Sequence, residues 1–322
     1  MLSFNVKNVK IFLNKFNHRE IEIMNISIKC QRFIGNFVLL ASLLLVGCTG
    51  VTTPTPTPKH ENLALPAITT SVTGEKHTGK FVWHDLLTDD VAASRTFYAD
   101  VFGWTFETRG AYTQILNEGN LIGGMMHVRP TVDSSAEAVW LPSLSVADID
   151  KSMRYLKYKK GKVIKGPLEM KERGRGVLVS DPQGAQLVLL DAKNGDPKDV
   201  TPQMGDWLWN ELWTNKPQES SSFYRNLAGY DTSKTKNGYR LLIHEGKWRA
   251  GIRDVSKEEL KARWVPTIRV SELKETMSKV KSSGGEVLVA PHKELVNGNV
   301  ALIADNTGAL VIIQRWEKGG NE

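Results

Sequence analysis

The side chain best placed for chemistry is His84, in the apolar and aromatic run FVWHDLLT over residues 81–88, which reads as a strand. Three roles are open to an imidazole there. It can be one ligand of a divalent ion, a hydrogen bonder or general base in a pocket, or a satisfied structural histidine. Asp85 is its neighbour, but adjacent strand residues point to opposite faces. Trp83, Trp140, Trp209 and Trp264 each lie on a strand that opens a repeating unit. They either fill the interior or line a pocket that grips a planar or cationic small molecule. His127 is a weaker addition to His84, and His244 and His292 read as surface residues. The sequence contains no phosphate-binding glycine loop and no G-x-S-x-G nucleophile elbow.

The elements that position these residues occur twice. FVWHDLLTDDVAASRTFYADVFGW (81–104) returns 126 residues later as WLWNELWTNKPQESSSFYRNLAGY (207–230), with seven of 24 pairs identical. YTQILNEGNLIGG (112–124) answers to YRLLIHEGKWRAG (239–251), WLPSLSVADIDKSM (140–153) to WVPTIRVSELKETM (264–277), and DPQGAQLVLL (181–190) to DNTGALVIIQ (305–314). A period this long means two copies of a whole domain, since solenoid units run about 20–50 residues. Asn210 takes the place of His84 in the second copy and joins the pocket candidates. Each copy reads as two βαβββ units. Asp89 or Asp90 caps a helix closed by Gly103, and Gly161 and Gly285 end the later helices. Glu118-Gly119 and Glu245-Gly246 read as hairpin turns, and Phe97-Tyr98 and Phe223-Tyr224 as helix-to-sheet packing.

The N-terminus predicts targeting. Lys29 and Arg32 precede the 14-residue apolar run Phe33 to Val46 and the sequence LVGC ending at Cys48. This pattern is a secretory signal, too short for the roughly 20 residues that span a bilayer. LVGC predicts cleavage before Cys48 and lipidation of its thiol, with Met24 as the true start and residues 1–47 as the signal region. Residues 48–77 are rich in Thr and Pro and read as an extended tether. The expected location is the cell envelope, lipid-anchored, in the outer membrane if the cell is Gram-negative, because Thr49 follows the cysteine. Cys30 leaves with the signal, so the folded body has no thiol for disulfide, zinc or nucleophile chemistry. The formal charge of +7 falls to +3 on processing, with 36 basic and 33 acidic residues left. Nucleic acid is not expected as a partner.

WHDLLTDD, FYADVFGW, IGGM, WLPSLSVADID and DPQGAQLVLL resemble the vicinal oxygen chelate superfamily, and most closely a tandem, glyoxalase-like branch of it. That superfamily includes glyoxalase I, extradiol dioxygenases and fosfomycin and bleomycin resistance proteins. The resemblance covers about residues 78–192 and 204–316. It implies an α+β fold of two tandem domains, each of paired βαβββ units forming a cupped mixed sheet with helices outside. It also implies a divalent ion held by His and Glu, of which His84 would be the first ligand. The other expected positions fall at Gly124-Met125, Trp140 or Leu141, and Val188; in the second copy they fall at Asn210, Val265 and Ile312. One imidazole cannot hold a catalytic metal, so no cofactor is assigned and catalysis stays open. The leading expectation is a membrane-anchored protein binding a small organic molecule without a complete metal site. Two alternatives remain: a divalent-metal-dependent lyase or dioxygenase using His84, and a non-catalytic envelope interaction module. Pairing of the domains within one chain favours a monomer.

Overall fold

Each copy of the repeat builds one eight-stranded mixed sheet, as a computed structural model shows for residues 65–128, 138–235, 238–255, 261–293 and 295–317. The signal region, Met24, Cys48 and the tether up to residue 64 lie outside the described residues. Among the described residues no helix is long and apolar enough to cross a membrane. In the first half the order is β1 (Phe81–Thr88), α1 (Val91–Phe102), β2 (Thr105–Arg109), β3 (Tyr112–Asn117), β4 (Asn120–His127), β5 (Val139–Ser145), α2 (Ile149–Tyr158), β6 (Lys162–Met170), β7 (Gly174–Ser180) and β8 (Gln186–Ala192). The second half repeats it as β9 (Trp207–Thr214), α3 (Pro217–Ala228), β10 (Asp231–Lys234), β11 (Arg240–His244), β12 (Lys247–Asp254), β13 (Arg263–Val270), α4 (Leu273–Ser282), β14 (Glu286–Val289), a 3-10 turn (Val296–Gly298), β15 (Val300–Ala304) and β16 (Leu310–Arg315).

The two sheets have the same strand order, β2-β3-β4-β1-β5-β8-β7-β6 and β10-β11-β12-β9-β13-β16-β15-β14. β1 runs parallel to β4 and antiparallel to β5, so it is the seam that joins the two units of its half, and β9 does the same. Local chemistry sets the element ends. The Asp90 carboxylate accepts the Ala93 N–H (2.8 Å) to start α1, and Gly103 closes it in the left-handed region at φ 74°. Pro217 starts α3 without a side-chain cap. The later helices stop earlier than the sequence suggests, at Lys159 and Ser283. Gly161 and Gly285 follow them as packing residues: a Cβ on Gly161 would lie 2.5 Å from Leu156 Cδ1, and one on Gly285 would lie 2.6 Å from the Phe97 ring.

Neither half encloses its own helices. One buried cluster joins Leu144, Leu156, Val179 and Leu189 of the first half to Leu212, Phe223, Tyr224 and Trp264 of the second. The other joins Leu86, Phe97, Val101 and Trp140 to Ile268, Val280, Ile303 and Ile313. So α1 packs beside α4 and α2 beside α3. Phe97-Tyr98 and Phe223-Tyr224 therefore pack across the two halves. Tyr98 donates to Asp305 Oδ2 (2.9 Å) and accepts from Trp140 Nε1 (2.7 Å). Tyr224 repeats the arrangement with Asp181 Oδ2 (3.0 Å) and Trp264 Nε1 (3.0 Å). Burial pushes both phenols well above their ordinary values, so both stay protonated donors. The linker between halves is tied by Asp199, which pairs with Lys80 (3.0 Å), Lys247 (2.7 Å) and Arg249 (2.8 Å).

One expectation is corrected on this surface. The sequence predicts a tether over residues 48–77, but Leu65 and Ile68 are buried against the first sheet, with Val82, Trp83 and Tyr112. Thr73 donates to Asn194 O (2.8 Å) and Asp196 to Glu75 O (2.8 Å). Two branched aliphatic side chains in a Thr-rich stretch are enough to dock it.

Candidate functional site

The face of each sheet turned away from the other half is its cup, and β1 and β9 run along the floor. Trp83 and Asp85 supply the floor of the first cup. Tyr112 enters from β3, and Arg173 from the loop between β6 and β7. Arg173 Nη1 donates to Asp85 Oδ2 (2.9 Å) and Nη2 to the Tyr112 hydroxyl (2.6 Å). The Tyr112 hydroxyl donates to Asp85 Oδ1 (2.5 Å), which also accepts from Trp83 Nε1 (3.0 Å). The guanidinium lies 5.2 Å from the Trp83 ring centre and 4.9 Å from that of Tyr112, within cation–π range. Burial, with Asp85 adding to it, holds Tyr112 protonated. Burial alone would lower Arg173, but Asp85 and Tyr112 outweigh it and raise the guanidinium above its ordinary value.

The second cup rebuilds this cluster from partly different positions. Glu211 stands in the place of Asp85, and Arg253 grips it from β12, through Nε to Oε2 (2.6 Å) and Nη2 to Oε1 (2.9 Å). Trp213 Nε1 adds a bond to Glu211 Oε2 (2.7 Å), and Trp209 Nε1 donates to the Tyr239 hydroxyl (2.9 Å). Both tyrosines need a glycine beside them. A Cβ on Gly124 would lie 1.8 Å from the Tyr112 hydroxyl, and one on Gly251 would lie 1.7 Å from that of Tyr239. The IGG and RAG motifs are therefore seats for these hydroxyls.

The predicted site residues divide between two places. Trp83 and Trp209 lie in the cups. His84, Asn210, Trp140 and Trp264 lie in the contact between halves. His84 Nε2–H donates to Asn210 Oδ1 (2.8 Å), and its ring stacks on Trp207 with centres 4.2 Å apart. The two residues are repeat mates, so they meet where the halves exchange places. Asp85 faces the opposite side, as strand alternation requires. His127 is exposed at the end of β4 and does not join His84; His244 is partly buried and His292 exposed. Sequence alone singles out none of Tyr112, Arg173, Glu211, Tyr239 and Arg253, and it brings in Asp85 only as the neighbour of His84. The signal was present for four of these, since the acid and the tyrosine recur in both copies.

A divalent ion does not fit either cup. Each carboxylate is already engaged by an arginine and an indole, and a guanidinium beside it repels a second cation. The positions where further ligands were expected hold Gly124, Met125, Leu141 and Val188, and Val265 and Ile312 in the second half. Among the described residues, no three His, Cys, Asp or Glu side chains come together as a metal needs. What each cup offers is aromatic area over a floor whose carboxylate is neutralised by an arginine.

Comparison with known proteins agrees with this architecture. Residues 80–114 match the model of the bleomycin resistance protein-like N-terminal family. The chain is 24% identical over 238 residues to a putative glyoxylase, CFP32, of Mycobacterium bovis, covering 71% of this chain and 91% of that protein. It is 25% identical over 256 residues to the anthracycline biosynthesis protein DauV of a Streptomyces species, covering 72% and 91%. Among solved structures it resembles the Mn(II)-bound glyoxalase of Novosphingobium aromaticivorans (TM-score 0.53, 14% identity, 74% and 83% covered). It also resembles homoprotocatechuate 2,3-dioxygenase of Arthrobacter globiformis (TM-score 0.52, 14% identity, 82% and 86% covered). The chain has the vicinal oxygen chelate fold shared by bleomycin-resistance-like, glyoxalase and extradiol dioxygenase proteins.

The buried histidine gives a pH signature. Burial is the main cause that lowers its pKa from 6.5 to about 4, against the smaller raising effects of Asn210 and Asp85. Between these values the unfolded chain takes up a proton that the folded chain refuses. Stability should therefore be unaffected by His84 above pH 7 and fall by about 3 kcal/mol in total as the pH drops through 6.5 to 4. Denaturant midpoints measured across this range should lose that component in His84→Gln. An unchanged slope would show that His84 is not held neutral.

Proposed function

We propose that this protein is a lipid-anchored envelope protein that binds a small organic molecule in its cups without using a metal. The observation that carries this reading is the floor of each cup. In both, a buried carboxylate is consumed by an arginine and an indole, so the floor presents aromatic faces and no free carboxylate. Such surfaces suit apolar ligands. The names of the similar glyoxylase and anthracycline biosynthesis proteins also point to organic substrates. The anchor rests on LVGC at residues 45–48 behind a basic and apolar segment, with the body held at the membrane surface.

Metal content separates this reading from a metal-dependent lyase or dioxygenase. The purified full-length chain, grown with Mn, Fe, Ni and Zn and then dialysed, should carry far less than one ion per molecule by elemental analysis. One ion per chain, removed by chelator along with lyase or ring-cleaving turnover, would replace the proposal with the enzyme reading. The anchor is tested separately. Cys48→Ser should move the protein from the membrane fraction to the soluble fraction, and continued membrane association would contradict lipidation.

A further inference from the structure

The first cup is not empty: the chain fills it with its own segment just before the body. Leu65 and Ile68 are 6% and 2% exposed, and they pack on Trp83, Tyr112, Met170 and Leu190. Between them the Pro66 carbonyl accepts a bond from Arg173 Nε (3.1 Å). That nitrogen is the part of the guanidinium not engaged by Asp85 and Tyr112. The segment has no regular secondary structure. Among the described residues its backbone pairing with the body begins at Thr73, followed by Gly74 at φ 66°. The buried Thr69 hydroxyl has no hydrogen-bond partner among the described residues. Among the described residues the second half has no such plug at the matching place, where residues 191–197 run as the end of β8 and the linker. Trp209 is accordingly only half-buried, whereas its mate Trp83 is 1% exposed.

We infer that the first cup is an exchangeable binding site, that residues Leu65–Ile68 are its built-in competitor, and that its external ligand is an apolar molecule carrying a carbonyl-type oxygen. The plug defines that chemistry. Two aliphatic groups lie on the indole and phenol, and one carbonyl oxygen meets the outward donor of Arg173. A ligand repeating this pattern gains the same contacts once the plug swings out about Thr73. The outward Nε–H of Arg173 is locally positive and disfavours a cationic group in the place of the Pro66 carbonyl. This inference rests on the cups being ligand sites, and it adds which cup is gated and by what. It also couples ligand binding to the tether, since Leu65 is only 17 residues beyond Cys48, a reach of at most about 60 Å.

The test uses a fluorescein-labelled peptide of residues 62–73, followed by anisotropy against the full chain and its Leu65→Ser/Ile68→Asp variant. The variant, with native circular dichroism, should bind the peptide saturably and at least tenfold more tightly than the native chain, whose cup is filled. If that variant does not fold, Ile68→Ser serves in its place with the same expected direction. Equal binding by both chains, or none by a folded variant, would overturn the plug. 9,10-Anthraquinone, apolar with two carbonyls, should then displace the bound peptide. Peptide binding that the quinone cannot displace would uphold the plug while overturning the proposed ligand class and weakening the small-molecule reading behind it.

Discussion

The structure depends on one constraint: neither half can cover its own helices. Phe97, Tyr98 and Val101 on α1 are buried in a cluster that the second sheet completes, and Phe223 and Tyr224 on α3 in one that the first sheet completes. Two mixed cores follow, each closed by a Tyr–Asp–Trp latch that crosses between halves. The DPQG and DNTG turns supply the aspartates of these latches, which explains why both copies keep them. Once the cores are shared, the outer faces of the two sheets are the surfaces free to become cups. The same pairing places His84 against Asn210 and removes it from any cup.

Inside the cups the dominant interaction is a buried ion pair. Asp85 with Arg173 and Glu211 with Arg253 are nearly inaccessible to water. Breaking one partner of such a pair leaves an uncompensated buried charge, at about 3–5 kcal/mol. Neither carboxylate is therefore free to become a metal ligand without unpairing an arginine. This fixes the chemistry of the floor and leaves variation to the rim, which the first half closes with Leu65 and Ile68.

Much of the fold was legible because the chain states it twice. Helix caps, hairpin turns at Glu118-Gly119 and Glu245-Gly246, and the two-unit plan of each half follow from local chemistry that recurs. The face of His84 was not legible. β1 is buried on both sides for most of its length, and its register shifts between Phe81 and Trp83, so no polar alternation distinguishes cup from core. Asp85 and Glu211, Tyr112 and Tyr239, and Gly124 and Gly251 could have been found as matched sets. Arg173 and Arg253 could not, because the first comes from the β6–β7 loop and the second from β12. The plug was hidden for another reason: two aliphatic residues in a Thr-rich stretch carry no periodicity, and only their contacts show that they dock.

The central claim is that the acid in each cup is a structural counter-ion, unavailable to a metal. A double-mutant cycle on Asp85→Asn and Arg173→Gln, read by denaturant unfolding of the full chain, tests it directly. The account predicts that each single change costs about 3 kcal/mol or more, and that the double change costs clearly less than the sum. Additive costs with no coupling would mean that the two charges do not depend on each other, and the carboxylate would be free for other chemistry.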